Sequence, residues 1–229
     1  MIEEPPLLRI RRTFPRPTAA QIDAFRGVPT GFICDAMDGK GALGTAISPL
    51  DFGQPAICGP ALVANNGPAE ILATVASLGL IEAGDVVISA VEGHQGCSAA
   101  GDQITGMMKN AGAAGFVTDG PMRDREGVMA HGMPCWCTGL NPNSPYGHGP
   151  GTVGMGAAIG GQYVQSGDLI VADENGAVVI PLARIDAVAA KLPEVKSAED
   201  ELEAKVKDGL SALVDLDEMA AEGKVLFED

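Results

Sequence analysis

Hydrophobic positions along the chain fall into short blocks that switch between a period near 3.6 and a period of 2, and their order predicts an α/β protein. Residues 18–26 and 29–37 have helical spacing; Thr18 offers a capping hydroxyl to the first helix, and Asp38-Gly39-Lys40-Gly41 ends the second. The apolar run 56–64, bounded by turn residues, predicts a buried strand, and 69–80 returns to helical spacing before Gly84-Asp85. The β-branched run 86–91 predicts the next strand, followed by a turn through Gly93, Gly96 and Gly101 into a helix over 103–110. A strand over 115–118 ends in Asp119-Gly120-Pro121, after which Arg123-Asp124 open a short helix that ends near His131. Cys135-Trp136-Cys137 reads as a further strand. Residues 168–172 and 177–180 alternate as paired strands around Asp173-Glu174-Asn175-Gly176, in which Asn-Gly is a hairpin signal. From 182 to 208 the chain is rich in alanine and charge with helical spacing; Gly209 stops it and a shorter helix follows.

Composition narrows this picture. A length of 229 residues with 46% hydrophobic positions supports one substantial core, so we expect a single domain over 1–229, with an N-terminal arm at 1–17 and a helical tail at 182–229. With 31 glycines and only 4% aromatics, that core must be built from Ala, Val, Ile and Leu around tight turns. Gly, Pro and charges interrupt every apolar run, so none is expected to cross a bilayer. The balance of 30 acidic to 15 basic residues, a formal charge of −15, argues against direct contact with nucleic-acid phosphates. Arg9, Arg11, Arg12, Arg16 and Arg26 cluster near the start, which predicts a solvated arm facing an acidic neighbouring subunit.

The five cysteines (Cys34, Cys58, Cys97, Cys135 and Cys137) are odd in number and scattered, which predicts reduced, mostly buried thiols in a cytoplasmic protein. A zinc site from Cys135, Cys137 and a histidine is disfavoured because alternate strand residues are expected to face opposite sides. His94, His131 and His148 have no partner at ligand spacing and read as loop or core histidines. Gly93-His94-Gln95-Gly96 lacks the lysine of a phosphate loop, and Gly154-Met155-Gly156 precedes no nucleotide-binding unit.

One spacing stands out: Gly101-Asp102, then twenty residues, then Arg123-Asp124. It places two carboxylates and a guanidinium at two successive strand-to-helix corners, where they can converge on one cleft. Taken singly, Asp102 and Asp124 read as helix caps, Arg123 as an ion-pair partner, and Glu199 as one solvated charge among several.

As a set, Asp-x20-Arg-Asp resembles the signature of the class II pyruvate aldolases that act on 4-hydroxy-4-methyl-2-oxoglutarate and 4-carboxy-4-hydroxy-2-oxoadipate, within the RraA-like family of the regulator of ribonuclease E activity A. The similarity runs over 18–219 and includes Gly84-Asp85-Val86-Val87, Gly167-Asp168 and the helix ending at Gly209. The resemblance implies a compact α/β domain, with central sheets flanked by helices and a long C-terminal helix reaching a neighbouring subunit of a homotrimer or homohexamer. It also implies that Asp124 is the direct ligand of Mg²⁺ or Mn²⁺, and that Asp102 and Glu199, the latter from a neighbouring subunit, act through water. Arg123 would hold the substrate carboxylate and stabilise the developing enolate. Asp102 would orient the water that moves the proton, and the backbone N–H groups of Gln103 and Ile104 would receive a carboxylate oxygen.

The activity implied is carbon–carbon cleavage of a 4-hydroxy-2-oxo acid, with oxaloacetate decarboxylation as a side activity. The chain departs from the family at Thr138, near the place where some members carry a lysine for the distal carboxylate. It also departs at Gln103, commonly apolar, and in the loop 141–151 with its three prolines and His148. Two alternatives remain: a lyase or hydratase for another 2-oxo acid, and a non-catalytic protein-binding regulator. The regulator lacks the acidic residue after the arginine, which is present here as Asp124.

Overall fold

A computed structural model describes residues 6–228, so the first five residues of the expected arm lie outside the described residues. The chain divides between Leu192 and Pro193 into two compact units. In chain order, the first unit contains β1 (Leu8–Ile10), α1 (Ala19–Asp23), α2 (Thr30–Ala36), β2 (Ser48–Pro49), β3 (Ile57–Asn65), α3 (Leu72–Ser77) and β4 (Val86–Ala90). It continues with α4 (Asp102–Asn110), β5 (Gly115–Thr118), α5 (Arg125–His131), β6 (Cys135–Cys137), β7 (Gly151–Val153), β8 (Gly156–Ile159), β9 (Gln162–Gln165), β10 (Leu169–Asp173) and β11 (Gly176–Ile180). A 3₁₀ turn at Leu182–Arg184 leads into α6 (Ile185–Lys207), which begins in the first unit and ends in the second; α7 (Leu216–Ala221) lies in the second.

The sheet runs β1-β7-β3-β4-β5-β6-β2, with β10 and β11 branching from β3 and β8-β9 forming a separate hairpin. β3, β4, β5 and β6 are parallel neighbours, joined by α3, α4 and α5, as parallel strands require. The two-residue period sorts their side chains: Ala61, Val63, Val86, Ile88 and Val117 enter a core shared with Ile159, Val164, Ile170 and Val179. On the other face Leu62 and Ala64 meet Ala73 of α3, while Val87 and Phe116 meet Met108 of α4 and Val128 of α5. These strands are buried on both faces, which is why they read as unbroken apolar runs rather than alternating ones.

Several expectations are corrected in detail. Part of the arm is tied to its own chain: β1 pairs parallel with β7, and Arg16 holds the buried carboxylate of Asp85 through Nη1 at 2.5 Å and Nη2 at 3.1 Å, while Arg9, Arg11 and Arg12 are exposed. The 69–80 helix shortens to α3 because Ala69 takes a left-handed φ of 59 and the Glu70 carboxylate accepts from the backbone N–H groups of Ile71 and Leu72 at 2.9 and 2.8 Å. The hairpin turn comes one residue earlier than Asn-Gly suggests: Asp173 pairs with Gly176, so Glu174 and Asn175 form the loop, and Gly176 opens β11 at φ 132. Thr18 does cap α1, in a capping box with Gln21, and α6 ends before Gly209 at φ 98. Strands β7, β8 and β9 carry no apolar run that could announce them. Among the described residues no helix is long and apolar enough to cross a membrane.

Candidate active site

The two corners singled out by the sequence lie at the carboxyl ends of β4 and β5, where α/β sheets commonly open a crevice. Beyond the strand ends, the backbone keeps a parallel ladder. Ala99 N–H donates to Pro121 at 2.7 Å, Arg123 N–H to Ala100 at 3.1 Å, Met122 N–H to Gly139 at 2.9 Å and Asn141 N–H to Met122 at 2.8 Å. Asp119, at the end of β5, is buried and accepts from the N–H groups of Val91 and Gly93, both at 2.8 Å. Burial pushes its pKa up, and those N–H groups only partly offset this. The loop after β4 is therefore anchored to the loop after β5 by a buried carboxylate.

On this base the structure brings Asp102, Arg123 and Asp124 together. A Cβ placed on Gly101 would stand 2.5 Å from Asp124 Oδ2 and 3.1 Å from Arg123 Cγ. One placed on Gly127 would stand 2.6 Å from Asp102 Oδ2. Each helix thus presents a glycine notch that holds the other helix's acidic residue. Neither carboxylate caps a helix: Gly101 occupies the cap position of α4, and Asp124, at the cap of α5, makes no capping bond. Asp124 also takes a left-handed conformation, φ 56 and ψ 39, a strain of about 1–2 kcal/mol that only a few residue types tolerate. The capping explanation does not account for these two residues.

Arg123 Nε lies 3.2 Å from Asp124 Oδ2, and Arg123 Nη1 donates to Ser144 Oγ at 2.6 Å. Their side chains are 38% and 45% exposed, so both remain open to a ligand. Beside them is a cavity of about 300 Å³ lined by Arg123, Asp124, Leu140, Asn141 and Pro142. Gln103 and Ile104 belong to the first turn of α4, whose N–H groups have no partner within the helix. Thr138 does not stand free: its Oγ1 donates to Gln95 Oε1 at 2.8 Å. Glu199 lies on α6 in the second unit, where it is exposed.

The remaining candidates sort differently. Cys135 and Cys137 face the same side, not opposite sides, because residues two apart on a strand share a face; both are buried with Met108, Met122 and Met133, and burial pushes both thiols up. His148 donates only its backbone N–H, to Glu70 at 2.9 Å, and its ring lies 5.9 Å from that of Tyr146. His131 is placed beside the site, with Nε2 3.1 Å from the Asp102 carbonyl oxygen. Among the described residues no group of three or more His, Cys, Asp or Glu side chains could hold a metal, so one chain offers the paired carboxylates alone. Sequence reasoning missed the roles of Asp119, Ser144 and His131. Only Asp119 had a local signal, as an acidic residue at a strand's carboxyl end.

A mixed sheet that carries a guanidinium and two carboxylates, neither capping a helix, at adjacent corners of its parallel strands defines an α/β protein with a charged cavity at the strand ends. Within that class the chain belongs to the RraA-like family, described as Aldolase/RraA, which matches residues 30–179. It is 32% identical over 192 residues, 84% of this chain and 91% of the relative, to a Halalkalibacterium halodurans protein named "Putative 4-hydroxy-4-methyl-2-oxoglutarate aldolase". The crystal structure of Streptomyces coelicolor RraAS2, described as an unusual member of the RNase ES inhibitor RraA protein family, superposes with a TM-score of 0.72 at 27% identity, over 83% of this chain and all of that one. An uncharacterized protein from Pseudomonas syringae pv. tomato superposes with a TM-score of 0.77 over 87% of this chain and 93% of its own; at 24% identity it bears on the fold alone.

Proposed function

We propose that this protein is a divalent-metal-dependent lyase that cleaves a carbon–carbon bond in a small 4-hydroxy-2-oxo acid and decarboxylates oxaloacetate as a side activity. The observation that carries this reading is the pair of glycine notches at 101 and 127, which seat Arg123 and Asp124 beside Gly101, next to Asp102 in the chain, and the Asp102 carboxylate against α5. The named aldolase from H. halodurans supports it at the level of lyase chemistry.

The donor set suits Mg²⁺ or Mn²⁺. Both are hard cations that prefer oxygen, and Mg²⁺ is usually held by one or two carboxylates while keeping several waters. Asp124 would be the direct ligand, with Asp102, and Glu199 of a neighbouring subunit, acting through water. When bound, such a cation supplies Lewis-acid polarisation of the 2-oxo group. The chain's own groups do the rest. Arg123 and the N–H groups of Gln103 and Ile104 hold the carboxylate next to the 2-oxo group. Asp102 orients a water that takes the proton from the 4-hydroxyl, so that C4 becomes a carbonyl as the C3–C4 bond breaks. The released electron pair forms the enolate of pyruvate, beside the Arg123 guanidinium, and the same water returns a proton to C3. Oxaloacetate has no 4-hydroxyl proton to remove: loss of CO₂ releases the C3–C4 electrons into the same enolate, and the water oriented by Asp102 donates a proton to C3 that solvent replaces.

The test is pyruvate formation from oxaloacetate and from 4-hydroxy-4-methyl-2-oxoglutarate, followed with lactate dehydrogenase, with Mg²⁺ and with EDTA after subtraction of the metal-only rate. Metal-dependent release from both supports the aldolase, and release from oxaloacetate alone keeps the site but moves the substrate to another 2-oxo acid. No release from either favours a second reading, suggested by the likeness to RraAS2: a non-catalytic regulator that binds a ribonuclease.

A further inference from the structure

His131 presents a local imbalance. Its ring closes the C-terminal end of α5, with Nε2 3.1 Å from the Asp102 carbonyl oxygen and 3.4 Å from Thr105 Oγ1. Its Nδ1 is buried with no hydrogen-bond partner, the one side-chain atom of this kind among the described residues. A carbonyl oxygen can only accept, so Nε2 carries the ring hydrogen and Nδ1 is left with an unmatched lone pair. A phenylalanine or leucine would fill the same space without burying an orphaned nitrogen, so packing alone gives no reason for a histidine. What histidine adds is the bond to the main chain of Asp102.

We propose that His131 is a positioning residue for Asp102, a role that rests on the reading of Asp102 given above. Its Nε2–H grips the Asp102 carbonyl from α5, while the Asp102 carboxylate lies in the Gly127 notch of the same helix, so the residue is held at both ends. Thr105, fully buried, braces the grip by donating to the Gly101 carbonyl at 3.0 Å, and Lys109 of α4 donates back to the His131 carbonyl. Two helix ends that meet only through flexible side chains would let Asp102 swing. This three-residue brace fixes both the carboxylate direction and the first-turn N–H groups of Gln103 and Ile104.

The experiment compares His131→Phe, His131→Gln and Asp102→Asn in the metal-loaded enzyme with oxaloacetate, and reads the ring tautomer of the unmodified protein by long-range ¹⁵N–¹H NMR after ¹⁵N-histidine labelling. His131→Phe, which removes the bond and the orphan together, should keep or raise the melting temperature yet lower kcat about tenfold or more with little change in KM. The His131→Gln amide N–H can reach the same carbonyl and should recover most of that loss. The NMR spectrum should show hydrogen on Nε2. Wild-type kcat in His131→Phe, an equal loss in His131→Gln, or hydrogen on Nδ1 would each overturn the proposal, and the NMR result decides even if a variant fails to fold. Full turnover by Asp102→Asn would instead remove Asp102 from the mechanism, whereas an inactive Asp102→Asn beside a fully active His131→Phe would sink the positioning role alone.

Discussion

A methyl group added at Gly101 would stand 2.5 Å from Asp124 Oδ2, yet the backbone there has φ −136, which any residue can adopt. The glycine is required by the close approach of a carboxylate, not by the turn. Gly101→Ala should therefore fold normally and lose roughly a hundredfold in kcat, because the displaced group is the proposed metal ligand; wild-type kcat with normal folding would dissociate Asp124 from the chemistry. Asp124→Ala should abolish metal-dependent turnover, and Arg123→Ala should lose turnover together with oxalate binding, measured by calorimetry. Glu70 is a residue-scale case of stability instead. Burial alone would push its carboxyl up, but the N–H groups of Leu72, His148, Ile71 and Gly149 together hold it below the ordinary value of 4.5. A depressed folded pKa contributes stability that is present above the unfolded value and lost as pH falls through the folded one. Glu70→Gln should cost about 1–3 kcal/mol at pH 7. In thermal melts at a series of pH values, the gap from wild type should shrink as pH drops below 4.5.

At the scale of elements, α4 and α5 are short helices whose relation to each other matters more than their own propensity. Gly127 lies inside α5, where alanine would add about 1 kcal/mol of helix propensity, but its Cβ would stand 2.6 Å from Asp102 Oδ2. Gly127→Ala should therefore hold its melting temperature within a few degrees while losing about tenfold or more in turnover. An equal fall in both would mean that the notch serves packing alone. The parallel strands and their helices were legible in the sequence because burial on both faces demands unbroken apolar runs. The 115–118 strand falls where it was expected, whereas β7, β8 and β9 depend on neighbours rather than on their own residues. Helix ends were harder to place: the start of α3 is decided by Glu70, whose carboxylate reaches on to His148, seventy-eight residues away in the chain.

For the whole molecule, the prediction concerns Glu199. If it serves a neighbouring subunit's site, then mixing Asp124→Ala with Glu199→Ala chains and allowing subunits to exchange should restore about a quarter of wild-type turnover, since one pairing in four is intact. No recovery after demonstrated exchange would rule out a shared site. The sequence alone settled the α/β class and the family likeness, and it singled out Asp102, Arg123 and Asp124 as the set on which the proposed chemistry rests. Those follow from local periodicity and from a spacing that survives without knowledge of the fold. Tertiary structure alone decided that Arg16 belongs to Asp85, that Cys135 and Cys137 are packed among methionines, that Gly101 and Gly127 are the notches, and that His131 reaches Asp102. Apart from Met133, which lies beside Cys135 in sequence, these are contacts between residues far apart along the chain. Such contacts are set by how strands and helices pack, which no local pattern encodes.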